Sequence, residues 1–111
     1  MESSSILHIT SRNDWDKALG AGRYSPKSMD TVGYIHCSKP SQIIAVANHS
    51  FKGQKGLVLL VINPKEVKAE VKYEGPEPTD LFPHIYGALN LNAVKSVLDF
   101  PPCEDGTFEL P

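Results

Sequence analysis

An α+β domain, with two early helices packed on small, mostly antiparallel sheets, is what this sequence predicts. Three observations point to it. Both segments with helical periodicity lie in the first half of the chain. The second half is dominated by alternating or uniformly apolar runs of strand length. Turns bearing Gly, Pro or Asn separate these runs.

Taken in order, residues 6–10 (ILHIT) read as a strand. Ser11 is placed to cap a helix, with Asp14 three residues on in the position that completes a capping box. Trp15, Ala18 and Leu19 form its apolar stripe, and Gly20 and Gly22 end it. Residues 23–32 are polar, contain Pro26 and read as a loop. Residues 33–38 (GYIHCS) are a second short strand. Pro40 is well placed for the first turn of a second helix, in which Ile43, Ala47 and Ser50 form one row and Ile44, Ala47 and Phe51 its neighbour, closing at Gly53. The run LVLLVI (57–62) is apolar on both faces, as a central strand covered on both sides would be, and Asn63-Pro64 stops it. From Val67 to Glu74 the chain alternates, with Val67, Ala69, Val71 and Tyr73 on the core side. After a loop over 75–80, residues 82–87 (FPHIYG) form a short strand whose proline suits an edge or a bulge. Asn90 to Ala93 reads as a helical turn and Val94 to Phe100 as the last long strand. The tail turns at Asp105-Gly106 and has room for a terminal strand.

Composition sets the outer limits. A chain of 111 residues is one domain, 1–111, with one core, and residues 1–5 are expected to be disordered. Eleven basic against thirteen acidic side chains give a net charge of −2, which argues against a nucleic-acid partner. No apolar run approaches the roughly 20 residues of a membrane-spanning helix, and MESSS does not open a signal peptide. Cys37 and Cys103 read as reduced thiols, and the expected location is the cytoplasm.

The candidate chemistry comes from strand period. His8 and Thr10 share one face, as do Tyr34, His36 and Ser38, and as do His84 and Tyr86. The opposite faces (Leu7 and Ile9; Ile35 and Cys37; Pro83, Ile85 and Gly87) read as core. Alone, each histidine is more often a surface or structurally bonded residue than a catalytic one. Three of them alternating with hydroxyls and tyrosines suggest a cleft. A metal site is not expected: His36 and Cys37 point to opposite faces, and there is no helical i, i+4 histidine pair. The same opposition of faces argues against a Cys37 nucleophile. Glu74 ends its strand, where it reads either as a solvated carboxylate or as a base or ribose-hydroxyl acceptor.

The set HIT (8–10), GYIHCS (33–38), AN (47–48), LVLLVI (57–62) and FPHIYG (82–87), in that order, resembles family 952 of the domains of unknown function over residues 6–111. Where members of that family commonly read YGPL, this chain has Tyr86-Gly87-Ala88-Leu89. The resemblance implies a fold similar to the ADP-ribosyltransferases, with NAD in a cleft between two small sheets. It also resembles the catalytic domain of tRNA 2′-phosphotransferase, with His8-Ile9-Thr10 standing for its HGT and His36-Cys37-Ser38 for its HLS. Only Arg12 and Arg23 could serve the phosphate of such an enzyme, and no motif marks the late-strand glutamate of the transferases; Glu74 fills it by position alone.

The resulting expectation is NAD or an ADP-ribose-type nucleotide as the small ligand, held by His8, Thr10, Tyr34, His36, Ser38, His84 and Tyr86. His8, His36 and Glu74 are the catalytic candidates if ADP-ribose is transferred. His8 and His36 would grip ribose or phosphate oxygens, and Tyr86 would stack on the ligand ring. The alternative is a non-catalytic ligand- or protein-binding domain on the same scaffold; a metal-dependent hydrolase is a weaker third.

Overall fold

The computed structural model describes residues 2–111, and its first strand, β1 (Ile6–Ser11), ends in the residue that caps the first helix, α1 (Arg12–Ala21). Asp14 N–H donates to Ser11 Oγ at 3.0 Å, and Gly22 closes the helix at φ 81°, a conformation that glycine adopts cheaply. There follow β2 (Arg23–Tyr24), α2 (Ser28–Val32), β3 (Ile35–His36), α3 (Ile43–Ser50), β4 (Leu57–Ile62), β5 (Glu70–Glu74), β6 (Phe82–Tyr86), β7 (Leu89–Asn90) and β8 (Val94–Asp99). Every pairing is antiparallel. One three-stranded sheet has the order β1-β4-β8, another β3-β6-β5, and β2 and β7 form a two-residue ribbon.

The LVLLVI run is the centre of the first sheet, and all six residues are buried. Strand alternation sends Val58, Leu60 and Ile62 into one apolar cluster, with Trp15, Tyr24, Ile35 and Ile85. Leu57, Leu59 and Val61 go into another, with Ile43 and Ala47 of α3 and with Phe100 and Phe108. Each such side chain contributes about 1.5–3 kcal/mol on leaving water.

A seam between the two three-stranded sheets positions the site. The chain pairs with β6 through Ile35 and His36, and Cys37 N–H donates to Pro83 C=O at 3.0 Å. It then crosses to β1, where Leu7 and Ser38 exchange both backbone hydrogen bonds at 2.8 Å. One extended segment is thus stitched to both sheets within three residues.

Several expectations need correction. Residues 23–32 are not a plain loop: they hold β2 and α2, because Tyr24 pairs with Leu89 far along the chain and Gly33, at φ 82°, ends a short helix. The strand expected over 33–38 is regular only at Ile35–His36, since the segment changes partner sheet at Ser38. Leu19 is 55% exposed, so the α1 stripe is Trp15 and Ala18 alone. The half-exposed strand begins at Glu70; Val67 and Ala69 still pack on the core, but Tyr73 is exposed. The tail forms no strand. It packs through Phe108, which stacks on Phe100 at 4.8 Å and whose N–H donates to Asn48 Oδ1 of α3 at 2.8 Å. Of the five N-terminal residues expected to be disordered, Met1 lies outside the described residues, and Ser5 N–H closes a turn onto Glu2 C=O at 3.1 Å. Cys37 is buried and Cys103 exposed, both as free thiols. Among the described residues no helix is long and apolar enough to cross a membrane.

Candidate functional site

Direct cross-strand pairing places His36 of β3 opposite His84 of β6, and His84 opposite Lys72 of β5. The two imidazoles meet edge to face, with ring centroids 5.0 Å apart. Tyr34, two residues before His36 and therefore on the same face, stacks flat on His84 at 4.0 Å and 15°. Glu74 ends β5 on this face. Its Oε1 accepts from His84 Nδ1–H at 3.0 Å and from the Tyr86 hydroxyl at 2.5 Å. These two bonds, Tyr86 first, hold the Glu74 carboxyl below the usual carboxylate range. The same bond pushes the Tyr86 phenol up to about 12. Because a carboxylate can only accept, the His84 proton sits on Nδ1, and in the neutral ring Nε2 carries the lone pair. Among the described residues no protein group bonds to that Nε2 or to Glu74 Oε2.

His8 comes from the other sheet, and its ring is fully engaged. Nδ1–H donates to His36 C=O at 2.5 Å, and Nε2 lies 2.7 Å from the Tyr24 hydroxyl, itself 3.0 Å from Thr10 Oγ1. Desolvation lowers the His8 pKa to about 4, so the ring is neutral near pH 7. Its Nε2 then needs the single Tyr24 proton, and Thr10 in turn donates to the Tyr24 oxygen. The result is a one-way chain from Thr10 through Tyr24 and His8 to the His36 carbonyl. Partial burial, and His84 alongside, also lower the His36 pKa.

These groups border a cavity of about 610 Å³ at the seam. His8, Tyr34, His36, Ser38, Glu74 and His84 all line it, so six of the eight site residues expected from sequence come together. Two do not. Thr10 is buried behind Tyr24, and Tyr86 lies behind Glu74 with Lys72 Nζ over its ring at 4.9 Å. Of the two tyrosines, Tyr34 lines the cavity and Tyr86 does not. Nor are the three site histidines on a merely wet side: His84 is only 8% exposed, and of the three only His36 is well exposed. The fourth histidine, His49, is exposed on α3 and takes no part.

The other wall is apolar, with Ile43, Val46 and Phe51 from the α3 region and Phe82 and Pro76 facing the same space. Gln42 ties this wall to the loop after β5. Its Nε2 donates to Asp80 Oδ1 at 2.9 Å and to Leu81 C=O at 3.0 Å, while its Oε1 accepts from Lys39 N–H at 2.9 Å. Sequence reading missed Tyr24 and Gln42. Tyr24 sat in an apparent loop, and Gln42 carries no pattern that marks it. The α3 row Ile43, Ala47, Phe51 was visible, but as core packing and not as a cavity wall. The Cys37 thiol also borders the cavity, and burial raises its pKa, which leaves it a poor nucleophile. Among the described residues no group of three His, Cys, Asp or Glu side chains is arranged to hold a metal ion.

Comparison with known proteins is narrow. A family described as protein of unknown function (DUF952) matches residues 9–97. Among solved structures, the crystal structure of protein CC0527 from Caulobacter crescentus is 32% identical. The match covers 96% of this chain and 94% of that one, with a TM-score of 0.87. A double mutant of the same protein gives the same figures, and its solution NMR structure, also 32% identical, covers 94% and 90% with a TM-score of 0.81. No curated protein matches the chain significantly.

Proposed function

Because the chain belongs to the DUF952 family, its function has to be read from the cavity itself, and we propose that this cavity binds NAD or a related ADP-ribose-type nucleotide through the nicotinamide-riboside end. The observation that carries this reading is the Glu74–His84 pair facing an apolar wall. Glu74 Oε2 is an ionised, unengaged acceptor suited to a ribose hydroxyl. His84 Nε2 and the Ser38 hydroxyl are further polar contacts, and Tyr34 with Phe51 and Phe82 offers surface for a planar ring. A volume of about 610 Å³ is within the usual range for small-molecule sites. Two small sheets meeting at a seam, with the cleft at the seam, support a scaffold similar to the ADP-ribosyltransferases.

When bound, the nucleotide would supply a bond from ribose C1′ to nitrogen that breaks with the electron pair leaving on nicotinamide. Glu74 would orient the ribose. His84, held by Glu74, would take the proton that the acceptor gives up as its lone pair bonds to C1′. His8 acts as a positioning residue in this reading, since it fixes the His36 backbone and has no ring nitrogen to spare. Two unbridged thiols and a nucleotide ligand both suit the cytoplasm.

Amide NMR titration with NAD, ADP-ribose and nicotinamide tests the proposal. Shifts at Tyr34, His36, Ser38 and Gly75 are expected with NAD, which carries the nicotinamide-riboside end, and no shift at the seam with any of the three ligands would refute it. The second reading, a binding domain without catalysis, is favoured by one observation: among the described residues no Lys or Arg lines the cavity to grip a pyrophosphate. Binding without nicotinamide release in the presence of nucleophilic acceptors would decide for it.

A further inference from the structure

Resting on the nucleotide reading, we infer that the cleft selects its ligand by charge, taking a cationic ribosylated heteroaromatic, a pyridinium nucleoside, and leaving phosphate outside. Among the described residues Glu74 is the one carboxylate on the wall, and no lysine or arginine among them lies there. Of the nearby basic groups, Lys72 lies off the wall although its charge helps hold Glu74 low, and His84 meets Glu74 through Nδ1. Lys72, on the same face of β5, sits over the Tyr86 ring and 3.9 Å from Glu70. His8 has both nitrogens bonded inside the protein.

A phosphate entering this space would shed its hydration against Ile43, Val46 and Phe51 and meet a carboxylate where it needs a cation. A pyridinium ring loses little hydration there. It gains contact with Tyr34, which lines the cavity while stacked on His84, and the negative charge of Glu74, whose Oε2 no protein group among the described residues engages. The recognised part of the ligand is therefore its nucleoside end. ADP-ribose, which has the phosphates without the cationic ring, is a poor ligand. Charge and not ring shape makes the difference, because neutral nicotinamide would fill the same slot.

Calorimetric titration with four probes tests this: nicotinamide riboside, nicotinamide mononucleotide, nicotinamide and ADP-ribose. Nicotinamide riboside should bind at least tenfold more tightly than ADP-ribose, and the added 5′-phosphate of the mononucleotide should gain no more than twofold. Glu74→Gln should weaken nicotinamide riboside at least tenfold and nicotinamide by less than threefold, in a protein whose amide spectrum shows it folded. Val46→Lys, at a half-buried helix position, should narrow the gap between nicotinamide riboside and ADP-ribose, and it serves if Glu74→Gln fails to fold. A preference below tenfold, or an unchanged preference in the folded variant, overturns the charge-selection inference and leaves the nucleotide site standing. If none of the four probes binds, the nucleotide reading itself falls.

Discussion

Acid should weaken this fold in a window where its carboxylates are still ionised, because a neutral histidine is built into the seam. The His8 pKa is lowered from 6.5 to about 4 by burial. Between these values the unfolded chain binds the proton and the folded chain does not, so stability rises with pH across the window. The contribution is fully present above 6.5 and is lost as the pH falls toward 4. A shift of that size corresponds to about 3 kcal/mol in total, of which about 2 kcal/mol is gone by pH 5. His36, whose pKa is also lowered, adds a loss of the same sign. Glu74, held low by Tyr86 and His84, acts further down: its stabilisation is present above its unfolded value of 4.5 and lost as the pH drops below it. Urea unfolding at pH 7 and pH 5 isolates the histidines. The midpoint should fall with the slope unchanged. A His8→Gln chain, which cannot titrate at this position, should keep only the smaller dependence left by His36. Equal stability at the two pH values, or a His8 ring that titrates near 6.5 by NMR, would refute the argument.

Three further outcomes are expected. Tyr24→Phe removes the proton that His8 Nε2 accepts and should cost about 1–3 kcal/mol in urea unfolding; no loss would mean that the seam chain is not hydrogen-bonded as described. Leu60→Ala, at the fully buried centre of β4, should cost about 2–5 kcal/mol by the same assay. Gln42→Ala releases the loop after β5, so hydrogen exchange at Asp80 and Leu81 should quicken while that of β4 stays the same, with a stability loss of about 1 kcal/mol; unchanged exchange at the loop would show that it is held by other contacts.

What the sequence by itself determined is local or periodic. The Ser11 cap, the two-sided burial of LVLLVI and the shared faces of Tyr34 with His36 and of His84 with Tyr86 follow from hydrogen-bond valence and from the two-residue repeat of a strand, which act over a few residues. The tertiary structure alone decided what those faces meet. Residues 23–32 looked like a loop because the partner of Tyr24, Leu89, is 65 positions away, and a two-residue strand has no period to read. His8 looked like a ligand-gripping residue; its ring is instead saturated by Tyr24 and the His36 carbonyl, which come from other elements. Glu74 read either as a solvated strand end or as a catalytic candidate, and it became the hub of Tyr86 and His84 only when β5 and β6 paired. Which residues share a strand face is written in the chain; which faces close around a cavity depends on contacts between distant segments, and their pairing energies leave no local mark on the sequence.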